Sequence, residues 1–239
     1  MFDIKTTTSD YMSIVLTHEC NKRCVFCIDQ YRGQNEFITL ESVESALTFA
    51  KGNGIKDILL VGGEPTLHPQ VVSIAKIVKD AGFNVILTTN YTNPKVFKEL
   101  DQYVDSFNIS WYHQDNLPKQ EDFTADITLS ALIFRKQLDS KERLDRFIDE
   151  HSDLTLKFST LVAHDEWTKS HQEVNYLDDL PGERVVLFDE IEGIIYRGHV
   201  IKRYDRLLNE SAKQSYKCHV DGQISTGWDR ALTKLKLSA

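Results

Sequence analysis

The chain has 239 residues, 41% of them hydrophobic and 27% charged, the balance of one globular domain rather than a disordered or fibrous chain. A formal net charge of -8 argues against a nonspecific nucleic-acid binder, because neutralising a phosphate backbone takes clustered Lys and Arg. No apolar run reaches the length of a membrane span, and Met1–Lys5 lacks a basic-then-apolar leader, so the expected location is the cytoplasm, away from membranes.

Residues 1–10 are polar and predict a lead-in. Tyr11 to Thr17 (YMSIVLT) predicts a first strand that runs into Cys20-Asn21-Lys22-Arg23-Cys24-Val25-Phe26-Cys27. Three of the four cysteines fall within these eight residues, spaced C-x₃-C-x₂-C. Three thiols so close together cannot pair off as disulfides, and such clusters in cysteine-poor chains bind metal. A cubane [4Fe–4S] cluster takes one thiolate per iron, so three thiolates leave one iron open to another ligand. A structural zinc site is the alternative; it wants four ligands, and His18 or Cys218 could supply the fourth.

Ile28 to Phe37 is polar loop. Thr39, or alternatively Ser42, predicts an N-cap, after which Val43, Ala46, Leu47 and Ala50 recur at helical spacing until Gly52-Asn53-Gly54. Asp57 to Val61 is nearly all apolar, as a parallel strand buried on both faces requires. Gly62-Gly63-Glu64-Pro65 follows directly. Paired glycines at a strand end let backbone approach a ligand closely, although alone the tetrapeptide is equally a strand-to-helix turn. The grammar then repeats: helix Pro69–Ala81, strand Phe83–Leu87, helix Pro94–Leu100, strand Val104–Ser110. Three successive crossovers imply a parallel sheet with right-handed connections. Trp111 to Asp122 reads as a polar loop, and 126–138 and 141–150 as helices. Leu154–Val162 is expected as the fifth strand, Arg184–Phe188 as the sixth, Gly193–Val200 as a further β segment and Lys202–Lys213 as a last helix.

The cysteine triplet, followed one βα unit later by Gly62-Gly63-Glu64-Pro65, resembles the radical S-adenosylmethionine (radical SAM) superfamily. The resemblance covers most of residues 11–190. It implies an α/β fold, a partial (β/α)₆ TIM-like barrel over residues 1–190, with 191–239 as a short C-terminal extension and candidate cap for the barrel mouth. It implies two cofactors, a [4Fe–4S] cluster and S-adenosyl-L-methionine, and the ligand site at the C-terminal ends of the strands. By the same resemblance Cys20, Cys24 and Cys27 are the metal ligands. Phe26 lies near the adenine, and Gly62, Gly63, Glu64 and Pro65 receive the methionine amino group. Thr88 and Asn90 border the same ligand, and Ser110 lies near its ribose or carboxylate; strand-end hydrogen bonding is an equal reading for Thr88 and Ser110.

The activity implied is reductive cleavage of S-adenosylmethionine to a 5′-deoxyadenosyl radical, which takes hydrogen from a small-molecule or short-peptide substrate. An electron donor such as flavodoxin or ferredoxin is implied as partner. Two readings within the superfamily stay open: a glycyl-radical-enzyme activase, and a peptide or small-molecule epimerase or cyclase. A zinc-binding module is the non-enzyme reading. Cys218 is a candidate hydrogen donor for an epimerase, against the plainer reading of a half-buried small hydrophobe. Lys157 is the other candidate catalytic residue, since a cation in a central strand suits a substrate carboxylate or phosphate, or the cofactor's carboxylate. Trp111, Tyr112, His113, Asp189, Glu190, Arg197 and His199 are weaker candidates for facing the substrate.

Overall fold

The computed structural model of the protein describes residues 11–29, 34–112, 117–172, 174–187, 191–207 and 215–226. Six parallel strands form its centre: β1 (Tyr11–Val15), β2 (Asp57–Val61), β3 (Asn84–Thr89), β4 (Ser106–Ser110), β5 (Asp126–Ile133) and β6 (Thr155–Thr160). They lie side by side in chain order, which is the outcome of repeated right-handed crossovers. Between them run α1 (Leu40–Gly52), α2 (Val71–Asp80), α3 (Pro94–Leu100) and α4 (Lys141–Glu150). Thr39 is the N-cap of α1, its side chain accepting from Ser42 N at 3.1 Å.

Strand side chains alternate, so each strand offers one face to the helices and one away from them. Met12, Ile14, Ile58, Leu60, Val85, Leu87, Phe107 and Ile109 share a single buried core with Val43, Ala46, Ile74, Val78 and Phe97 of the helices. The opposite face carries Ser13, Thr88, Asn108, Ser110, Ser130 and Lys157 at the alternate positions. One face is packed against the helices; the other mixes these polar groups with the apolar Val15, Leu59 and Val61.

The sheet continues past both ends of this set. β7 (Glu183–Val186), β8 (Ile191–Tyr196) and β9 (His199–Leu207) form an antiparallel meander, and β9 pairs in parallel with β6. At the other edge β10 (Tyr216–Cys218) pairs in parallel with β1, and β11 (Ile224–Thr226) pairs with β10. Nine residue steps connect Leu207 to Tyr216, which reach about 30 Å when fully extended. A flat sheet would separate β9 from β10 by about 34 Å, before any travel along the strands. The chain therefore bridges the two edges only if the sheet curls, with its helices outside and its other face on the concave side. That is a partial barrel.

Three expected elements are corrected. Residues 126–133 are β5, not helix: Ile127, Leu129, Ala131 and Ile133 alternate with Thr128, Ser130 and Leu132, a period of two. Asp101 Oδ1 fixes the entry to β5, accepting from Thr124 N at 3.0 Å and Ala125 N at 2.9 Å. Thr155–Thr160 is thus the sixth strand, and 183–186 is an edge strand paired antiparallel with β8. The predicted helix 202–213 begins as strand. Arg197 (φ 49°) and Gly198 (φ 83°) make the two-residue turn that sends β9 back along β8, and residues 208–213 lie outside the described residues. Among the described residues no helix is long and apolar enough to cross a membrane.

Candidate active site

The turn after β2 presses against the exit of β1. Gly63 N donates to Thr17 O at 2.8 Å, and Glu64 N to Glu19 O at 2.8 Å. Only glycine allows this contact. A Cβ on Gly62, whose φ is +148°, would lie 2.3 Å from Thr17 O, and one on Gly63 would lie 2.2 Å from Glu19 O. The glycines thereby set the height at which the chain enters Cys20.

The Glu64 carboxylate ties the turn to the neighbouring strand. It is fully buried: Oε1 accepts from Thr66 N (3.1 Å), Thr66 Oγ1 (2.6 Å) and Thr89 Oγ1 (2.8 Å), and Oε2 from Asn90 N (2.7 Å). The resemblance assigns Glu64 to the methionine amino group; within the fold its carboxylate ties the end of β3 to the glycine turn. Pro65 is buried behind it. Asn90, positioned by that tie, donates Nδ2 to Asn21 Oδ1 at 2.8 Å and lies 3.9 Å from Cys20 Sγ. Asn21 Nδ2 in turn donates to Thr92 Oγ1 at 2.6 Å. Asn21 is a contact that motif reading passed over, because only the three cysteines within the loop carry a spacing signal.

The end of β4 reaches the loop from the other side. The Tyr112 hydroxyl bonds the Ser110 side chain and the Cys24 thiol, and burial, then the charge of Cys24, push its pKa up. Its ring lies parallel to Phe26, centroids 6.0 Å apart, and Phe134 at the end of β5 touches Phe26 from another direction at 5.6 Å. Cys20, Cys24, Phe26, Asn90 and Ser110 thus belong to one connected cluster at the C-terminal ends of β1, β3 and β4. Thr88 lies below them, accepting from Asn108 Nδ2 at 3.4 Å.

The three thiols are of the kind an iron–sulfur cluster takes. All three are partly exposed on one short loop. The Cys20 pKa is raised, first by burial and further by the negative charges of Glu64, Cys24 and Cys27, with the Lys22 backbone N–H at 3.4 Å opposing. A cation bound among the thiols reverses that mutual repulsion. Among the described residues no three His, Cys, Asp or Glu side chains meet around one point as a single ion needs. A cubane sets one thiolate on each of separate irons and makes no such demand.

The remaining candidates are dispersed. Cys218 is aligned with Ile14 and buried in the helix-packed core, its pKa pushed up to about 12 chiefly by burial. It points away from the concave face, which corrects its assignment as hydrogen donor. Trp111 packs edge-on against Phe147 of α4, centroids 4.6 Å apart. Arg197 pairs with Asp145 and Asp149 of α4, and His199 stands edge-on to Phe158, so neither faces the concave side. His113, Asp189 and Glu190 lie outside the described residues. Lys157 does stand on the concave face, in register with Ser130. A polar recess between α5 (Glu166–Gln172) and β9 includes Asp178, Arg203 and Asp205, but none of the cysteine-loop residues, and its buried arginine is already held by both aspartates.

Two groups stand at the seam of β1 and β10: His18, read from sequence as a possible fourth zinc ligand, and Lys217, which the sequence did not single out. His18 Nδ1 meets Asp29 Oδ2 at 2.9 Å, clasping the two flanks of the cysteine loop. Lys217, aligned with Ser13 and only 3% exposed, has its pKa drawn down to about 6 by burial, with the charge of Asp29 opposing. The unfolded lysine titrates near ~10.4, so between these values the unfolded chain holds the extra proton and stability rises with pH. Lys217→Met removes that slope. The variant should be more stable than the parent by about 1–4 kcal/mol near neutrality, with the gap closing as pH approaches 10. Paired urea titrations at pH 6.5 and 9.5 read it; an equal gap at both would refute the assignment.

A family model for the radical SAM superfamily matches residues 14–118. The probable GTP 3′,8-cyclase of Saccharolobus islandicus (strain M.14.25 / Kamchatka #1) is 38% identical over 81 residues, 33% of this chain and 26% of that protein. The GTP 3′,8-cyclase of Chlorobaculum tepidum is 29% identical over 163 residues, 65% of this chain and 46% of that protein. The chain thus spans less than half the length of these curated relatives. Among solved structures, Streptococcus suis SuiB bound to precursor peptide SuiA gives a TM-score of 0.55 at 17% identity, over 70% of this chain and 43% of that one. At that identity the likeness speaks for the fold alone.

Proposed function

Because the chain belongs to the radical SAM superfamily, and membership implies a [4Fe–4S] cluster and S-adenosylmethionine, we propose that it initiates radical chemistry on a small-molecule or short-peptide substrate. When bound, those cofactors supply reductive cleavage of the sulfonium and a 5′-deoxyadenosyl radical. The protein's own residues hold, orient and shield. Cys20, Cys24 and Cys27 are the thiolates, and Gly62 and Gly63 fix where their loop begins. Glu64 fixes Asn90, which with Asn21 braces the loop beside Cys20, and Tyr112 with Ser110 braces it beside Cys24. Phe26, Tyr112 and Phe134 give that end of the barrel apolar walls, which a reactive carbon radical requires.

The observation that carries this reading is the close backbone approach of the glycine turn to the cysteine-loop entrance, which joins two separate sequence motifs into one site. The likeness to relatives named GTP 3′,8-cyclase supports including a nucleotide in the substrate search. The cytoplasm and an electron donor such as flavodoxin or ferredoxin fit an oxygen-sensitive cluster.

Anaerobic reconstitution followed by S-adenosylmethionine and dithionite tests it. The wild type should take up iron, absorb as an iron–sulfur protein and form 5′-deoxyadenosine; Cys24→Ala should fall to the no-protein background. Zinc bound in place of iron, with no 5′-deoxyadenosine, would overturn it.

A further inference from the structure

We propose that the Tyr112 hydroxyl donates a hydrogen bond to the Cys24 sulfur that eases reduction of the iron–sulfur cluster, so that Tyr112 sets the cluster's potential as well as bracing the loop. The proposal deepens the reading above and rests on it for the cluster at Cys20, Cys24 and Cys27.

Tyr112 lies two residues beyond Ser110, the last residue of β4, and its hydroxyl meets both the Ser110 side chain and the Cys24 thiol. Lys22 and Phe26 stand two residues before and two residues after Cys24. Lys22 Nζ is 5.4 Å from the centroid of the Tyr112 ring, and the Phe26 ring lies parallel to it at 6.0 Å. Phe134, buried at the end of β5, supports Phe26 at 5.6 Å. The tyrosine ring is therefore held from both flanks of the residue that its hydroxyl touches.

The chemistry of the donor set fixes the direction of this bond. A cysteine sulfur bound to iron carries no proton, so it can only accept, and the phenol O–H donates. The Tyr112 oxygen keeps lone pairs for the Ser110 hydroxyl, which gives a chain from Ser110 through Tyr112 to Cys24. Each bond in such a chain polarises the next. Lys22, a cation over the ring, draws on the same electrons and makes the phenol a better donor.

An added electron makes the sulfurs of a cluster more negative. A donor to one of them therefore stabilises the reduced state more than the oxidised state, and hydrogen bonds to sulfur are among the levers that set cluster potentials. Cys20 Sγ meets donors as well, the Lys22 N–H at 3.4 Å and the Asn90 amide at 3.9 Å. The bond to Cys24 differs in that one substitution removes it and leaves the shape: Tyr112→Phe deletes the hydroxyl and keeps the ring against Phe26.

The test is a potentiometric titration of the reconstituted protein without S-adenosylmethionine, following the electron paramagnetic resonance of the reduced cluster. Tyr112→Phe should hold iron as the wild type does and be harder to reduce by about tenfold in the equilibrium constant, ~59 mV for one electron. Ser110→Ala, which leaves the phenol in place but unpolarised, should shift about two- to threefold in the same direction. Tyr103→Phe is the control, a tyrosine with Lys76 over its ring but three residues before β4 begins, and should not shift. A loss of iron without a change of potential in what remains would mark a brace alone and overturn the proposal. Should Tyr112→Phe hold no iron at all, Ser110→Ala decides, and an unmoved potential there overturns it. Iron content and 5′-deoxyadenosine are read on the same wild-type preparation. A cluster whose potential is the same in both variants refutes this inference alone. Potentials that shift as stated in a protein that forms no 5′-deoxyadenosine refute the radical reading alone, and zinc in place of iron refutes both.

Discussion

Gly63→Ala is expected to destabilise the protein by about 2–4 kcal/mol and to leave most of it unable to hold iron, the upper range for overpacking a site that cannot yield. The added Cβ would meet Glu19 O at 2.2 Å, Glu19 C at 2.6 Å and His18 O at 2.8 Å, all backbone atoms. Backbone can move only as a unit. This stretch is pinned by bonds from Gly63 N to Thr17 O, Glu64 N to Glu19 O and Leu16 N to Val61 O. Relief of the clash therefore displaces the segment that delivers Cys20. Gly82→Ala is the control: φ is +87° there, so alanine is strained, but no atom lies within 4 Å of the new Cβ. It should lose about 1 kcal/mol and bind iron normally. Denaturant unfolding and iron per chain after reconstitution separate the two effects. Wild-type iron content in Gly63→Ala would sink the claim that the glycine turn sets the cysteine loop.

The parts of the site that were legible in sequence are those carried by local pattern. C-x₃-C-x₂-C declares itself because three thiols in eight residues have few other uses, and Gly62-Gly63 because a glycine pair after an apolar strand needs a reason. The role of Glu64 was not legible. Its four donors come from Thr66, Thr89 and Asn90, two of which are 25 and 26 residues away, and only the pairing of β2 with β3 brings them together. The same limit explains β5: Leu, Ala and Ile in 129–133 suit a helix as well as a strand, and the neighbours β4 and β6 decide between them. Cys218 fails for a simpler reason. A strand of three residues gives no alternation from which to read its face, and register with Ile14 turns the thiol outward while Lys217 turns inward.

Glu64→Gln tests whether the buried carboxylate organises the site instead of touching the cofactor. Glutamine keeps the shape but exchanges one acceptor oxygen for an NH₂ group. In one orientation that group faces Asn90 N–H; in the other it faces Thr66 N–H. Either way two donors oppose each other in a fully buried place, and one backbone N–H loses its partner. The expected loss is about 2–4 kcal/mol of stability, from an unsatisfied buried donor and lost charge-assisted bonds. Because Asn90 is the residue released, the functional effect should fall on binding: the KM for S-adenosylmethionine should rise about tenfold or more, while kcat and iron content change by less than about threefold. Glu64→Asp, which keeps the charge but shortens the reach, should behave no better than the amide, since four fixed donors set the distance as well as the charge. If kcat falls and KM holds in the amide variant, Glu64 acts on the reacting atoms and not through Asn90.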